Sequence, residues 1–128
     1  ILFQKVDVVS PNALGGILNP ETLPKLNCEI VAGGANNQLS TPDIGDALLK
    51  RGILYAPDYV INGGGIINVA AEISGTYRTG WVASKLDRLV ETLQHVFERA
   101  ESEGAATNRI ADEIARTRIR SAKHAKVS

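Results

Sequence analysis

Three segments rich in glycine and asparagine contain the residue types in this sequence that could bind a small molecule. They are Ser10–Gly16, Gly33–Asn37 and Ala56–Gly65. An asparagine side chain offers both a hydrogen-bond donor and an acceptor, which suits a carboxamide or a ribose hydroxyl. Glycine lets a flat ligand approach the backbone closely. Together the three segments predict a binding edge for a flat, polar molecule.

Each of these features also has a purely structural interpretation. Paired asparagines such as Asn36 and Asn37 are common in turns and at helix starts. The glycines at positions 63–65 suit tight packing or a bend, and the Gly-x-Gly-x-x-Gly phosphate-binding fingerprint does not occur in the chain. Asp58, directly after a proline, is more typical of a helix cap than of an acid catalyst. Cys28 opens an apolar run, and we interpret it as structural.

Three short apolar runs directly before these segments are predicted to be β-strands. They are Val6–Val9, Glu29–Ala32 and Ile53–Ala56, and proline or glycine follows each of them closely. Because the strands alternate with helical segments, we predict an α/β fold with a parallel sheet and right-handed crossovers. Ligands bind outside the carboxyl ends of strands in such sheets. The three glycine- and asparagine-rich segments should therefore meet at one edge of the sheet.

Helices are predicted between the strands from their start and stop signals. Asn19 starts a short helix that Pro24 limits to one or two turns. Thr41 is predicted to cap a second helix, which ends at Gly52. The glycine cluster then leads into an apolar helix over Ile66–Ile73.

The last third of the chain is predicted to form two helices separated at Gly104. The first has an apolar stripe at steps of three and four residues. Thr107 is predicted to cap the second, in which four residues share an apolar face. The stripe consists of Val82, Leu86, Leu89, Leu93, Phe97 and Ala100, and the face consists of Ile110, Ala111, Ile114 and Ala115.

Composition excludes several classes of function. The chain has 128 residues, of which 44% are hydrophobic and 22% charged, as is typical of a globular domain. Lysine plus arginine (14) balances aspartate plus glutamate (14), which argues against a nucleic-acid binder. No apolar run is long enough to span a bilayer, and no secretory signal is visible. The single cysteine cannot form an internal disulfide, so we expect a cytoplasmic protein, and we predict no metal site.

Four segments resemble the leucine, phenylalanine and valine dehydrogenase family, to which glutamate dehydrogenases are more distantly related. The resemblance runs from about Val6 to the end of the last helix. Within the family, the segments most resemble those of leucine dehydrogenase. The segments Ala35–Leu39 and Tyr55–Asn62 are highly specific in combination. The four segments are Asn12–Gly16, Val31–Leu39, Arg51–Asn62 and Gly64–Val69.

This resemblance implies an enzyme that oxidatively deaminates L-amino acids to 2-oxo acids and passes a hydride to NAD. The chain would be the second half of a Rossmann-like NAD-binding domain (residues 1–79), followed by C-terminal helices that pack on it (residues 80–128). The turn at Asn12 and Ala13 would lie beside the nicotinamide, and further cofactor contacts would come from Gly33, Ala35 and Asn37.

The resemblance also places a substrate pocket. Asn37 would reach the substrate or the nicotinamide ribose, and Ile66 and Val69 would line the pocket for the substrate side chain. A pocket lined by branched apolar residues favours a branched aliphatic amino acid, and it leaves the side-chain carboxylate of glutamate without a partner. We therefore expect leucine or valine as the substrate. A glutamate dehydrogenase relative would need a cationic group in this pocket, which a missing domain could supply.

The chain departs from the family pattern in three respects. Asn12 stands where the family commonly has cysteine, so the contacts to the nicotinamide could differ. Gly63 stands where alanine is usual, which should loosen that turn. The catalytic lysines, the catalytic aspartate and the glycine fingerprint of the family lie in segments that do not occur here. We therefore expect a part of a longer, oligomeric enzyme whose N-terminal catalytic domain is missing and which is inactive as this chain alone.

A second interpretation is a non-catalytic module derived from the same family. In that case the chain would be complete and would serve binding or assembly through its exposed sheet edge and its long helices. The length of the coding region separates the two interpretations, because only the enzyme requires an upstream segment with catalytic residues.

Overall fold

The structure is a computed structural model that describes residues 2–73 and 79–125. Three strands are present, and a 3-10 helix at Leu23–Lys25 precedes the second of them. The strands are β1 (Val8–Val9), β2 (Ile30–Val31) and β3 (Leu54–Tyr55), and the α-helices are α1 (Asp43–Lys50), α2 (Asp58–Ile61), α3 (Gly63–Ile73), α4 (Thr79–Glu103) and α5 (Thr107–Ala125).

The strands form one parallel sheet in the order β1-β2-β3. Val9 pairs with Val31, and Val31 pairs with Tyr55. This confirms the predicted α/β fold with a parallel sheet, although each strand is only two residues long. Compared with the prediction, β1 lacks its first two residues, and β2 and β3 each lack one residue at both ends. At the end of β3, Pro57 has no N–H group with which to continue the ladder.

Two apolar clusters hold the chain together. The first lies between the sheet and α1, where Leu18, Val31 and Leu48 are fully buried. The second joins α4 and α5, where Val96 and Ile110 are buried. The remaining buried members of the first cluster are Val9, Leu26, Ile44, Ile53 and Tyr55, and those of the second are Ala100 and Ala111.

The short helix predicted at Asn19 is confirmed only in part, because the helical turn that forms is a 3-10 helix at Leu23–Lys25. The Asn19 Oδ1 atom does accept the backbone N–H groups of Glu21 and Thr22, each at 3.0 Å. The chain then forms a turn and the 3-10 helix rather than an α-helix. One α-type bond forms, from the Leu23 N–H group to the Asn19 carbonyl at 2.9 Å. It cannot be followed by a second, because Pro24 has no N–H group to donate to the carbonyl of Pro20.

The position of the second predicted helix is confirmed, but the residue predicted to cap it is wrong. It begins at Asp43 after Pro42, and no side-chain hydrogen bond caps it, so the predicted role of Thr41 is wrong. Its end is as predicted, because Gly52 adopts a left-handed backbone with φ of 69°.

The glycine cluster at positions 63–65 is the first turn of α3, not a loop that leads into it. A Cβ atom at Gly63 would lie 2.8 Å from Leu89 Cδ1, and one at Gly64 would lie 3.3 Å from Leu86 Cδ2. The glycines therefore allow α3 to pack closely on α4. This contact between distant parts of the chain decides the local structure here.

The two C-terminal helices are confirmed, and Gly104 ends α4 with φ of 62°. The predicted stripe was partly wrong, because Leu86 is 40% exposed whereas Val96, outside the stripe, is 1% exposed. Thr107 does not cap α5. Its hydroxyl instead donates to the carbonyl of Tyr55 at 2.6 Å and so attaches α5 to the end of β3. Among the helices of the described ranges, none is both long and apolar enough to cross a membrane.

Candidate functional site

The loops that follow the three strands meet at the carboxyl edge of the sheet, as predicted. We call residues Ser10–Gly16 loop A and residues Gly33–Asn37 loop B. The Ala35 N–H group donates to the Pro11 carbonyl at 2.9 Å, and the Gly16 N–H group donates to the Asn37 carbonyl at 2.7 Å. Loops A and B therefore form one backbone-bonded unit.

Gly33 and Ala35, both predicted cofactor contacts, are buried beneath this unit. A Cβ atom at Gly33 would overlap the Pro11 carbonyl oxygen and would lie 2.5 Å from the Pro11 nitrogen. Glycine at this position is what lets loop B approach loop A. In the described structure these two residues shape the edge, and their contact with a cofactor stays a prediction.

Gln38 anchors loop B from beneath, a role that the sequence analysis missed. Its side chain is 0% exposed, and Nε2 donates to the carbonyls of Gly33 at 2.6 Å and Ala35 at 2.9 Å. A buried amide that binds two backbone carbonyls fixes the course of a loop. The available signal was a long polar residue directly after the paired asparagines and before the apolar Leu39.

The side-chain amide of Asn12 is used inside the protein. Its Oδ1 atom accepts the Gly34 N–H group at 2.8 Å, and its Nδ2 group donates to the carbonyl and hydroxyl of Ser10 at 3.0 Å and 2.9 Å. Asn12 thereby links loop A to loop B. The next residue, Ala13, is exposed at the same edge.

Asn37 has a different environment from the other asparagines. Its backbone has φ of 53°, the left-handed conformation that asparagine tolerates better than most residues. The side chain is exposed, and within the described ranges it has no hydrogen-bond partner. Asn37 lines a small polar cleft of about 180 Å³ together with Asp58 and Tyr59. Its amide is therefore free to bind a ligand.

A groove of about 350 Å³ lies between loop B and helix α3. Ile66 and Val69, the two predicted substrate contacts, line it from α3 with exposures of 75% and 51%. Asn37 lies on the neighbouring cleft rather than on this groove. The other lining residues are Gly34, Asn36, Asn62 and Gly65.

None of the described residues that line this groove has a charged side chain. Ile66 and Val69 contribute apolar groups on the α3 side, where Asn62 directly precedes the helix, and Asn36 contributes an amide from loop B. The Asn62 Nδ2 group donates to Asn36 Oδ1 at 2.5 Å, so these two amides are bonded to each other. The sequence analysis did not select Asn36 or Asn62, although both lie within the segments that it named. The arrangement can bind an apolar side chain, but it offers no acid or base.

Asp58, the first residue of α2, is held in a structural role. It is 6% exposed, and its Oδ1 atom accepts the Tyr55 hydroxyl at 3.0 Å. Burial raises the pKa of Tyr55, so the hydroxyl stays protonated and continues to donate. Asp58 makes no side-chain capping hydrogen bond, so its interpretation as a cap is wrong. The Tyr55–Asp58 pair fixes the turn that leads to Asn62.

Comparison with known proteins identifies a family that the chain matches over nearly its whole length. The model of the Glutamate/Leucine/Phenylalanine/Valine dehydrogenase family matches residues 1–126. The chain is 42% identical to leucine dehydrogenase of Geobacillus stearothermophilus over 120 residues, which is 94% of this chain and 32% of that protein. It is 45% identical to L-tryptophan dehydrogenase of Nostoc punctiforme over 122 residues, 94% of this chain and 34% of that protein.

Solved structures agree with this assignment. The crystal structure of L-tryptophan dehydrogenase from Nostoc punctiforme superposes with a TM-score of 0.87 and 44% identity, over 97% of this chain and 37% of that one. The crystal structure of glutamate dehydrogenase from Peptoniphilus asaccharolyticus, at 22% identity, shares the fold with a TM-score of 0.60, over 77% of this chain and 26% of that one. The chain spans about a third of the length of the curated relatives it matches.

Proposed function

The chain belongs to the glutamate, leucine, phenylalanine and valine dehydrogenase family, and on that premise we propose that it forms the nicotinamide side of an NAD-dependent L-amino-acid dehydrogenase. In this proposal, residues 1–79 are the second half of the NAD-binding domain, and residues 80–128 are helices that pack on it. The observation that carries the proposal is the uncharged groove between loop B and α3, beside the free amide of Asn37.

The groove favours a branched aliphatic substrate. Ile66 and Val69 offer branched apolar surface, and the described lining residues include no cation to pair with a second carboxylate. Burying an unpaired carboxylate costs far more than burying a methyl group gains, so glutamate is disfavoured. A relative named L-tryptophan dehydrogenase at 45% identity makes a large apolar side chain the second candidate.

The exposed residues at the carboxyl edge fit a nicotinamide. The free amide of Asn37 can donate to and accept from a carboxamide or a ribose hydroxyl. Ala13 presents a small exposed residue in loop A, and Asn12 links this loop to loop B. Bound NAD would supply the hydride acceptor for oxidation at the α-carbon. This chain would hold and orient the ring, and its groove would orient the substrate side chain.

The groups that move protons are proposed to come from elsewhere in a longer protein. No described residue at this edge combines exposure with an acid or base aimed into the groove, since Asp58 is buried and bonded to Tyr55. We therefore propose that residues 1–128 alone do not turn over substrate. We further propose that the working enzyme is an oligomer completed by an N-terminal catalytic domain.

The first test is an assay of the purified full gene product, with its mass established by intact mass spectrometry. We expect a mass well above 13.7 kDa. We also expect NAD reduction with leucine or valine, slower reduction with phenylalanine and tryptophan, and the slowest with glutamate. Glutamate as the best substrate would contradict the assigned pocket. A mass matching this chain and no turnover with any amino acid would favour the non-catalytic module.

The role of Asn37 can be isolated with Asn37→Gly, because glycine keeps the left-handed backbone while it removes the amide. We expect kcat/KM to fall about tenfold, which is the effect of losing one ligand hydrogen bond. The unfolding midpoint should stay within error of the parent. Asn27→Ala is the matched control, since Asn27 is exposed before β2, at the opposite edge of the sheet. Equal activity of both variants would remove Asn37 from the site.

A further inference from the structure

One wall of the groove is loop B and the other is helix α3, and each wall packs against a different part of the chain. Loop B is fixed to loop A through Pro11 and to the interior through Gln38. Helix α3 is fixed to α4 through the close approach of Gly63 to Leu89. Neither the contacts of loop B nor the contact between α3 and α4 joins the two walls, so neither alone sets the distance between them.

The hydrogen bond from Asn62 Nδ2 to Asn36 Oδ1 crosses from one wall to the other. Asn36 lies within loop B, and Asn62 lies at the end of α2, directly before α3. Their 2.5 Å bond joins side chains that are 26 residues apart in the sequence. Both residues line the groove that Ile66 and Val69 line. A bond in this position fixes the distance between loop B and the α3 side chains.

We propose that Asn36 and Asn62 are a positioning pair that sets the width of the substrate groove and thereby the size of side chain that it accepts. Neither residue takes part in the reaction; each acts by holding the opposite wall. This inference rests on the proposed function, because it assigns a specificity role within the same groove.

The amide chemistry of the pair allows a test in which charge and bonding are separated. In Asn36→Asp the new carboxylate still accepts from Asn62 Nδ2. In Asn62→Asp the Asn36 amide can rotate so that its Nδ2 group donates to the new carboxylate. The double variant Asn36→Asp/Asn62→Asp places two acceptors opposite each other, so the bond is lost and the carboxylates repel. The single variants thus control for the added charge.

We expect each single variant to keep KM for leucine within about threefold of the parent, whereas the double variant raises it about tenfold more than the singles predict together. The kcat value should change little, because a loss of side-chain binding is felt equally in the ground state and the transition state. The preference for leucine over phenylalanine should also weaken. Additive effects of the two substitutions, or a loss confined to kcat, would overturn the proposal.

Hydrogen exchange gives a readout that does not depend on turnover. Backbone amides of loop B should exchange faster in the double variant than in the parent and both single variants, while those of α1 stay unchanged. If the parent reduces no NAD, the proposed function fails, but faster exchange confined to the double variant still supports the positioning pair. Unchanged exchange in loop B overturns the pair whether or not the parent is active. If the double variant does not fold, Asn62→Ser, which shortens the donor without adding charge, is expected to shift KM and exchange in the same direction.

Discussion

Gly33→Ala is expected to lower the free energy of unfolding by about 3 kcal/mol or more, one of the two largest effects expected in this chain. The added Cβ would overlap the carbonyl oxygen of Pro11 and would lie 2.6 Å from its Cδ atom. These are backbone and ring atoms, so they cannot rotate away as the end of a flexible side chain can. Relief would require loop B to separate from loop A, which breaks the Ala35 to Pro11 hydrogen bond.

Two glycine variants are matched controls for Gly33→Ala. At Gly34 the new Cβ would lie 3.1 Å from Asn12 Oδ1, a side-chain atom that can shift, so we expect a loss of about 1 kcal/mol at most. At Gly65, within α3, a Cβ meets nothing within 4 Å, so alanine should be neutral or stabilising by up to about 1 kcal/mol. Urea unfolding of the three variants ranks their free energies of unfolding. A Gly33→Ala protein as stable as Gly34→Ala would show that loop B is not held against Pro11.

The strands were predictable because their signals are local. A short run of β-branched residues closed by proline or glycine needs no tertiary information, and the parallel order follows from alternation with helices. The helix starts were less predictable. Thr41 and Thr107 both have the residue type of a cap, yet neither caps, and Thr107 instead donates to the Tyr55 carbonyl 52 residues away. A hydroxyl binds whichever acceptor the packing places beside it, which the local sequence does not encode.

The convergence of the loops was also predictable, but the use of each asparagine was not. Asn12, Asn36 and Asn37 have the same side chain and lie in similar segments. In the structure, Asn12 and Asn36 bind partners within the protein, whereas Asn37 has no side-chain partner among the described residues. Which amide remains free for a ligand depends on distances between loops that are far apart in sequence. This is why the groove-lining Asn36 and Asn62 were not selected.

The resemblance assigned Asn12 to the nicotinamide, in a position where the family commonly has cysteine. The structure shows a further consequence of that substitution. Because the amide binds Gly34 and Ser10 at the same time, it joins loop A to loop B with a geometry that a thiol, a weak donor and acceptor, reproduces poorly. The direct contact of Asn12 with a cofactor stays a prediction. Its link to Gly34 is the contact that supports the groove wall.

The second large effect is expected at Gly45, in the first turn of α1. Glycine within a helix usually costs about 1 kcal/mol relative to alanine, so Gly45→Ala would stabilise an isolated helix. Here, however, a Cβ would overlap Asn108 Oδ1 and would lie 2.6 Å from its Cγ atom. Asn108 is buried, and its Nδ2 group donates to the Pro42 carbonyl at 3.0 Å. We therefore expect Gly45→Ala to lower the free energy of unfolding by about 2 kcal/mol.

A double-mutant cycle with Asn108→Ala tests this interpretation, because the sign of the effect should reverse. Asn108→Ala alone should cost about 1 kcal/mol through the lost bond to Pro42. In that background the space beside Gly45 is open, so Gly45→Ala should now stabilise by up to about 1 kcal/mol through helix propensity. The same sign in both backgrounds would show that α5 does not pack against Gly45. A change of sign between the two backgrounds would establish that Gly45 is glycine because α1 packs closely against α5. Thr107 of α5 in turn binds the carbonyl of Tyr55 at the end of β3.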